Sequence, residues 1–294
     1  NVRRHPSFRY RWMTPTAIYL PTPKETVSDN EVALWKFRMK IGGEPFWSCH
    51  SFLGYYDRFL KTHPDWFAQG YPGEPPQMCY TNQGFIDQVA SDANEYFNTG
   101  KTYPGAQVSG DYFGLCPMDN ASWCQCPVCQ SKFTKEEANN PQFSNGKISN
   151  YFFEFVNKVA VKARNANPDK RIAALAYSDY AYYPDQVKLE PNIGVMMCLH
   201  TRNWWCPSME KNDKKVFNEW MSHESKKRPM YVWLYYCFPA LSAQSENYSM
   251  FPGFFVHRMA EQTKMYHKAG IRGIFLEHSC EFGQTYLGDQ LELY

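Results

Sequence analysis

Long apolar runs and blocks of one charge are both missing from this sequence. No stretch approaches the roughly 20 consecutive apolar residues that cross a bilayer, so no membrane span is expected. Lys and Arg together number 31 and Asp and Glu 29, a net charge of +2, and no segment concentrates the basic residues. Because nucleic-acid binding needs a concentrated basic face, a nucleic-acid partner is not expected either.

Two common functional motifs are missing as well. No glycine-rich phosphate loop follows the first apolar run, which disfavours the open, doubly wound sheet of nucleotide-binding proteins. No His-x-His spacing occurs, which disfavours a metal-dependent hydrolase although His50, His200 and His278 all follow or end apolar runs. The chain starts at Asn1 and shows no signal peptide, so we expect a mature or excised piece of a protein.

Aromatic residues are the most unusual component that is present. Phe, Trp and Tyr make up 17% of the chain, against 44% hydrophobic residues in total, with 21 Tyr and 9 Trp. A core built from large rings is one explanation. The other is a surface that stacks flat rings against sugar, because Tyr and Trp combine an apolar face with a polar group. Composition alone leaves both open.

Eight short apolar runs alternate with helical stretches along the chain. The predicted strands are residues 8–13, 45–52, 77–81, 106–112, 171–177, 193–199, 229–237 and 271–276. The predicted helices include residues 31–39, 84–97, 149–165, 214–225 and 256–268. Runs that are apolar throughout are typical of strands buried on both faces, and eight strand–helix units close a barrel.

We therefore predict an α/β fold, a single (β/α)8 TIM barrel over residues 1–294. The chain stops about one turn into the helix that should close the barrel. We expect the full protein to continue beyond this point and to carry further domains.

Barrel enzymes carry their reactive groups where strands end, at the carboxyl-terminal face of the barrel. The residues at these positions are mostly polar or aromatic, and we predict that they bind substrate: His50, Asn82, Asp111, Tyr177, His200, Arg202, Trp204, Trp205, Tyr235, Tyr236 and His278. Structural histidines and packed aromatic rings are the plainer interpretation of several of them. The adjacent pair Trp204 and Trp205 favours exposure of at least one ring.

Two carboxylates stand out as candidate catalytic groups. Glycoside cleavage needs one carboxyl group to protonate the leaving oxygen and a second to act as base or nucleophile. Glu277 ends an apolar strand, and Asp119 follows the fourth predicted strand. Glu277 could instead be ion-paired, and Asp119 could form a turn. We predict Asp119 as the acid and Glu277 as the base or nucleophile, with Asp111 and Asp179 as alternative acids.

Four cysteines cluster in the loop that carries Asp119. The spacing Cys116-x7-Cys124-x-Cys126-x2-Cys129 supplies the four thiolates of a closed structural zinc site, although Cys-x-Cys is an unusual half-site. Disulfides are the alternative in a secreted protein, and free thiols are the third. Each bonded form stiffens the loop. Catalysis itself is expected to need no cofactor.

Several short motifs in order along the chain resemble those of one known family. They are Pro6-x-Phe8-x-Tyr10-Arg11, His50-Ser51-Phe52, His63-Pro64-Asp65-Trp66-Phe67-Ala68, Gln77-Met78-Cys79, Asp119-x3-Trp123-Cys124-x-Cys126-x2-Cys129, Ala174-Leu175-Ala176-Tyr177 and residues 270–277. On these motifs the sequence resembles the bacterial domain-of-unknown-function 4838 family, a barrel group placed with TIM-barrel glycosidases and reminiscent of α-glucuronidases.

The resemblance implies a secreted, periplasmic or cell-surface protein of polysaccharide utilisation, with an accessory domain before the barrel and a further segment after it. Asp119 and Glu277 match family motif positions, whereas their catalytic roles are our hypothesis. We therefore expect a glycoside hydrolase acting on a polysaccharide or oligosaccharide. The alternative is a carbohydrate-binding barrel without catalysis, in which the aromatic residues hold a glycan.

Overall fold

The computed structural model describes residues 5–13, 28–237 and 256–278. The chain divides into two compact units. Unit 1 comprises the described residues of Asn1–Glu44, Cys198–Lys214 and Met230–Tyr294. Unit 2 comprises Pro45–Met197 and Lys215–Pro229. The candidate catalytic residues are divided between them, because Asp119 belongs to unit 2 and Glu277 to unit 1.

The described chain is a mixed α/β fold. Its strands are β1 Tyr10–Met13, β2 Gly42–Gly43, β3 Gln107–Ser109, β4 Tyr112–Leu115, β5 Arg171–Ala176, β6 Ile193–Leu199, β7 Met230–Cys237 and β8 Gly273–His278. Its helices are α1 Asp29–Arg38, α2 Leu53–Phe59, α3 Gln83–Thr99, α4 Pro127–Gln130, α5 Ser149–Ala166, α6 Pro207–Glu224 and α7 Val256–Ala269. None of these helices has the length and apolar character needed to cross a membrane.

The strands of unit 1 lie in the order β2-β1-β8-β7. β8 pairs in parallel with β1 on one side, from Tyr10 opposite Gly273, and with β7 on the other, where Tyr235 lies opposite Glu277. β2 adds a short antiparallel pairing to β1. The parallel arrangement places the carboxyl ends of β7 and β8 together, so the side chains near those ends can form one group.

The strands of unit 2 lie in the order β6-β5-β4-β3. β4, β5 and β6 are parallel, whereas β3 joins β4 as an antiparallel hairpin. Gly110 turns this hairpin with a φ of +56°, a left-handed conformation that glycine adopts without steric cost. β5 and β6 are buried along nearly their whole length, which explains why their sequences are apolar at successive positions.

Large rings fill the core of unit 2 behind its sheet. The rings of Phe52, Tyr80, Phe85 and Phe155 lie within 5.0 to 6.1 Å of one another, measured between centroids. All four side chains are almost fully buried. Edge-on and offset packing of this kind adds to the free energy gained by burying the rings. The high aromatic content is therefore explained in part by core packing.

The predicted strand at residues 45–52 is wrong, because this segment is extended but joins no strand ladder. Serine hydroxyls replace part of the ladder. The Ser48 hydroxyl donates to the Leu115 carbonyl, and the Cys116 amide donates to the Ser51 hydroxyl at 3.0 Å. The segment thus runs beside the end of β4 through side-chain bonds that an apolar pattern does not reveal.

The predicted strand at residues 77–81 is also wrong. Only one isolated antiparallel bridge forms, between Phe67 and Met78. The Gln77 side-chain amide donates to the Met118 carbonyl at 2.6 Å, which ties this segment to the loop after β4. The described part of the chain therefore has eight strands, the number predicted, but two of them are the short antiparallel β2 and β3.

Candidate functional site

Asp119 and two other predicted residues form one group in unit 2. Asp119 lies in the loop after β4, and its side chain is 64% exposed. His50 Nε2 lies 3.7 Å from one carboxylate oxygen, and the Tyr177 hydroxyl, just beyond β5, donates to the other at 3.4 Å. These three residues, which we call the Asp119 group, are far apart in sequence and meet because β4 and β5 end at the same edge.

The hydrogen bonding of His50 determines which of its ring nitrogens carries the proton. Nδ1 lies 2.5 Å from the carbonyl oxygen of Pro117, which can only accept, so Nδ1 is the donor. Nε2, the atom facing Asp119, therefore carries a proton only when the imidazole is charged. A hydrogen bond between His50 and Asp119 needs a single shared proton, on either the imidazole or the carboxyl group.

An exposed aromatic ring flanks the Asp119 group. Phe143 is 51% exposed and packs edge-on against Tyr177, with ring centroids 5.5 Å apart. Sequence reasoning missed Phe143, because it lies in an irregular loop with no periodic pattern. The exposed Phe143 ring thus adds an apolar surface next to Tyr177, which bonds the Asp119 carboxylate.

Asp179, an alternative acid, is engaged in holding two loops together. One of its carboxylate oxygens accepts from Trp123 Nε1 at 2.6 Å, and the other accepts from the Asn145 amide at 2.8 Å. The preceding Ser178 has a φ of +50°, a conformation that non-glycine residues rarely adopt. Both oxygens are thus bonded by buried partners, which favours a supporting role for Asp179 over proton transfer.

Asp111 lies at the wrong end of the sheet for the predicted role. β4 begins at Tyr112, directly after Asp111, so this carboxylate sits at the amino end of the strand. It forms an ion pair with Lys170 at 2.5 Å, directly before the start of β5. The prediction erred because residues 106–112 were taken as one strand, whereas they contain β3, a turn and the first residue of β4.

Asn82 was predicted to end a strand, but it has a structural role at the start of α3. Its side chain accepts a hydrogen bond from the Phe85 amide and so caps the amino terminus of α3. Its side-chain amide donates to the Asp65 carboxylate at 2.9 Å. Both ends of the Asn82 side chain are therefore used within the protein, which argues against its predicted place in a substrate site.

Glu277 and two aromatic residues form a group in unit 1. Glu277 lies near the end of β8, and its Oε2 accepts from Trp233 Nε1 at 2.8 Å. Trp233 and Tyr235 are two residues apart on β7 and so point to the same side of the strand. We call Glu277, Trp233 and Tyr235 the Glu277 group. The indole N–H fixes the direction of the Glu277 carboxylate.

Two further predicted residues pack on the Glu277 group. The His200 ring stacks on the Tyr235 ring, with centroids 5.0 Å apart and planes 11° from parallel. The Arg202 guanidinium lies 5.4 Å from the centroid of the same ring. Asp213 holds this loop, because it accepts from the His200 amide at 2.6 Å.

The paired tryptophans have different environments. Trp204 is buried and donates to Asp213 at 2.8 Å, so it holds the loop and is not available to a ligand. Trp205 is 79% exposed, as the adjacent pair predicts. Tyr236 is buried as well, with its hydroxyl bonded to Gln262 of α7 at 2.5 Å, and it packs the other face of β7. The side chain of His278 lies outside the described part of the chain.

A four-cysteine cluster lies in unit 2. The sulfurs of its members lie within 4.8 Å of one another, and the members are Cys79, Cys124, Cys126 and Cys129. All four are free thiols. The cluster joins the segment before α3 to the loop that carries Asp119. Four thiolates at this spacing could hold a metal ion.

Cys116, the predicted fourth member, lies elsewhere. It is fully buried beside the Asp119 group, with its sulfur 3.3 Å from the Tyr180 hydroxyl and 3.6 Å from His50 Nδ1. Burial raises the pKa of the Cys116 thiol. Cys79 takes its place in the cluster. It is remote in sequence from the other members, so no local spacing signals its membership.

Hydrogen-bond donors surround the clustered sulfurs. The Tyr151 hydroxyl and the Thr81 hydroxyl each lie 3.1 Å from the Cys129 sulfur, and the Gln69 amide donates to the Cys124 sulfur at 3.4 Å. The hydrogen bond with the Cys129 thiol and burial raise the pKa of Cys124 to about 11. Donors of this kind orient metal-binding thiolates and offset part of their negative charge.

Comparisons with known proteins assign a family to this chain. No curated protein and no solved structure matches it at a significant level. The family model described as Domain of unknown function (DUF4838) matches residues 1–291. This agrees with the resemblance carried by the sequence motifs, and its description states no activity. Since the match spans almost the whole chain, the protein belongs to the DUF4838 family.

Proposed function

We propose that the protein is a glycoside hydrolase that acts on a polysaccharide or oligosaccharide, with Asp119 as general acid. The observation that carries the proposal is the exposed Asp119 carboxylate, approached by His50 Nε2 at 3.7 Å and by the Tyr177 hydroxyl at 3.4 Å. A general acid must reach the glycosidic oxygen and must hold a proton before the bond breaks. Exposure serves the first need, and His50 Nε2, 3.7 Å from the carboxylate, is proposed to supply the proton for the second.

In the proposed step the Asp119 carboxyl group transfers its proton to the glycosidic oxygen while the bond from that oxygen to the anomeric carbon breaks. The anomeric carbon forms its new bond to the second carboxylate, or to a water molecule that this carboxylate deprotonates. Asp119 is left as a carboxylate. A charged His50 can then donate from Nε2, because Nδ1 stays bonded to the Pro117 carbonyl. His50 is thus a positioning and proton-returning residue, and the Tyr177 hydroxyl orients the carboxylate.

Glu277 is the proposed second carboxylate, acting as base or nucleophile. Its position near the end of β8 and the 2.8 Å bond from Trp233 Nε1 support this role. A nucleophile or base must present one fixed oxygen to the reacting carbon or water, and the indole N–H restricts the rotation of the carboxylate. His200, Arg202 and Tyr235 are proposed to contact the sugar near Glu277.

A carbohydrate-binding protein without catalysis is the second candidate. Exposed rings favour it, since Phe143 and Trp205 can stack against sugar without any chemistry. The proposal includes an extracytoplasmic, bacterial setting in polysaccharide utilisation, as the family resemblance implies. It also includes closure of the strands into a (β/α)8 barrel, which the parallel pairing within each unit supports.

The test compares two aspartate variants on a panel of plant and host glycans. Asp119→Asn should lower turnover by about 10²- to 10⁴-fold, the usual loss when a general acid is removed. Asp111→Asn is the matched control, because Asp111 is equally exposed but lies at the amino end of β4. Equal turnover in both variants would overturn the role of Asp119. Binding without turnover across the panel would favour the second candidate.

The cysteine cluster is proposed to bind one structural zinc ion. Zinc–sulfur bonds of about 2.3 Å in a tetrahedron separate the sulfurs by about 3.8 Å. The 4.8 Å limit of the cluster and the 3.5 Å between the Cys79 and Cys129 sulfurs fit this geometry. The bound ion would join the segment before α3 to the loop of Asp119.

Zinc content measured on purified protein tests the ligand set. The wild-type chain should carry about one zinc ion, and Cys79→Ser should lose most of it, because four ligands close a structural site. Cys116→Ser and Cys206→Ser should keep their zinc, since neither sulfur belongs to the cluster. If Cys116→Ser lost its zinc and Cys79→Ser kept it, the ligands would be Cys116, Cys124, Cys126 and Cys129, as the sequence spacing predicts.

A further inference from the structure

Unit 2 contains a cavity whose lining residues all lie outside the Asp119 group. Its volume is about 270 Å³. The lining residues come from the loop before α5, the start of α5, the segment after β5 and one face of α6, and they are Thr134, Glu137, Gly146, Ser149, Asn150, Tyr182, Tyr183, Asp185, Lys215, Glu219 and His223. The volume is close to the lower end of small-molecule pockets, about 300 Å³, and suits a ligand of monosaccharide size.

Two polar groups in this cavity lack partners among the described residues. The Ser149 side chain is buried, with 2% of its surface exposed, and its hydroxyl has no hydrogen-bond partner. No described residue donates a hydrogen bond to the Glu219 carboxylate. Buried polar groups are normally bonded, so the unbonded Ser149 hydroxyl points to a ligand that supplies a hydrogen bond. Glu219 is only half-buried, and it lines the same cavity as an acceptor that a ligand can reach.

The charges around the cavity are unbalanced. Glu137, Asp185 and Glu219 are acidic, and the basic groups are Lys215 and His223 on α6. Burial raises the pKa of Glu219, and the negative charges of Glu137 and Asp185 raise it further, against the lowering effect of Lys215 and His223. With a neutral histidine the lining carries more negative than positive charge. A ligand with a positive charge would relieve this repulsion.

Both basic groups are already engaged with aromatic rings. The Lys215 ammonium lies 3.7 Å from the centroid of the Tyr182 ring, and the His223 ring stacks on Tyr183 at 4.3 Å. These contacts place the basic groups against the ring walls. Asp185 already accepts from Asn150 at 3.0 Å, and Glu137 accepts from Asn140 at 2.6 Å. Glu219 is thus the acidic group of the lining to which no described residue donates a hydrogen bond.

We propose that this cavity binds a small hydroxylated ammonium compound, the chemical class that includes amino sugars, with its ammonium group on Glu219 and a hydroxyl group on Ser149. The ammonium donates to a carboxylate that has no other described donor, and the ligand hydroxyls use the remaining acceptors of the wall. This site is separate from hydrolysis at Asp119, because the two share no residue.

Titration calorimetry on the whole chain at neutral pH tests the site, with glucosamine as probe and glucose as the neutral comparison. Glucosamine should bind saturably, and glucose at least about tenfold more weakly, because a charged hydrogen bond contributes about 1.5–3 kcal/mol. Glu219→Gln should weaken glucosamine binding by a similar factor. Glu136→Gln removes an equal charge from an exposed neighbour outside the cavity and should leave binding unchanged.

Ser149→Ala separates ligand binding from a structural role. Because the Ser149 hydroxyl has no partner among the described residues, its removal should leave the melting temperature of the free protein unchanged or raise it, while glucosamine binding falls several-fold. Absence of saturable glucosamine binding, equal binding of glucose, or unweakened binding by Glu219→Gln would each overturn the proposal. Asp119→Asn should bind glucosamine as the wild-type protein does. Failure of the hydrolase proposal can therefore be distinguished from failure of this one.

Discussion

The two candidate carboxylates of this protein are held in contrasting ways. Asp119 in unit 2 is largely exposed and has only long contacts, 3.4 Å to the Tyr177 hydroxyl and 3.7 Å to His50 Nε2. Glu277 in unit 1 is half-buried and accepts a 2.8 Å bond from Trp233. An exchangeable proton suits an acid in loose contact with an imidazole, whereas a fixed direction suits a base or nucleophile.

The supporting structures differ in the same way. The Asp119 loop is irregular and lies next to four clustered thiols, whereas Glu277 is part of a strand paired on both sides. No comparable cluster lies among the described residues of unit 1. A strand positions its side chains through the ladder, and a loop needs another constraint. On the proposed zinc assignment, the metal would constrain the Asp119 loop as the strand ladder constrains Glu277.

Removal of the proposed metal should have the largest effect, and the effect should be confined to unit 2, which carries Asp119. Metal binding to structural zinc sites is worth on the order of 10 kcal/mol in small domains, so even partial loss should destabilise unit 2 by several kcal/mol. Chelation should lower the melting temperature by about 10 °C or more. Hydrogen exchange should speed up in residues 116–130 before it does in β7 and β8. Equal acceleration in both regions would break the comparison.

Glu277→Gln should lower turnover by about 10³-fold while the protein stays folded. This loss corresponds to a rise of about 4 kcal/mol in the activation free energy. The amide is nearly the same size, so the loss reports the missing charge. The matched control is Glu210→Gln, a half-buried carboxylate of unit 1 paired with Lys214 at 2.8 Å. Full activity in Glu277→Gln would remove Glu277 from the mechanism.

Trp233→Phe should reduce kcat by about tenfold or more. It removes the N–H that bonds Glu277 at 2.8 Å and keeps an aromatic ring in the same place. A hydrogen bond to a charged group contributes about 1.5–3 kcal/mol. Steady-state kinetics should show the loss mainly in kcat, because the bond acts on the direction of the carboxylate. A change confined to KM would indicate a binding role for Trp233.

Tyr177→Phe should have the smallest effect, roughly twofold on kcat. Its bond to Asp119 is 3.4 Å long and reaches an exposed carboxylate, where water can replace it. Measured beside Trp233→Phe on the same substrate, this variant tests the contrast directly. A loss as large as that of Trp233→Phe would show that Asp119 is held as firmly as Glu277.

Local patterns predicted much of the fold. Five predicted strands match β1, β5, β6, β7 and β8, and the predicted helices match α1, α3, α5 and α7, with the last part of α6. Each match depends on apolar spacing over neighbouring residues, which burial in a sheet or against a helix imposes directly. The two segments predicted wrongly as strands, residues 45–52 and 77–81, are held by serine and glutamine side chains together with isolated main-chain hydrogen bonds. Apolar spacing contains no record of such bonds.

The parts of the candidate site that depend on neighbouring residues in the sequence could be predicted. The sequence by itself determined the family motifs, three of the clustered cysteines, and the place of Asp119 and Glu277 after or near the ends of strands. Only the tertiary structure decided that Cys79 replaces Cys116, that Asp111 lies at the amino end of β4, and that Phe143 flanks Tyr177. The physical reason is that these relations join residues remote along the chain, and strand register and side-chain hydrogen bonds set them.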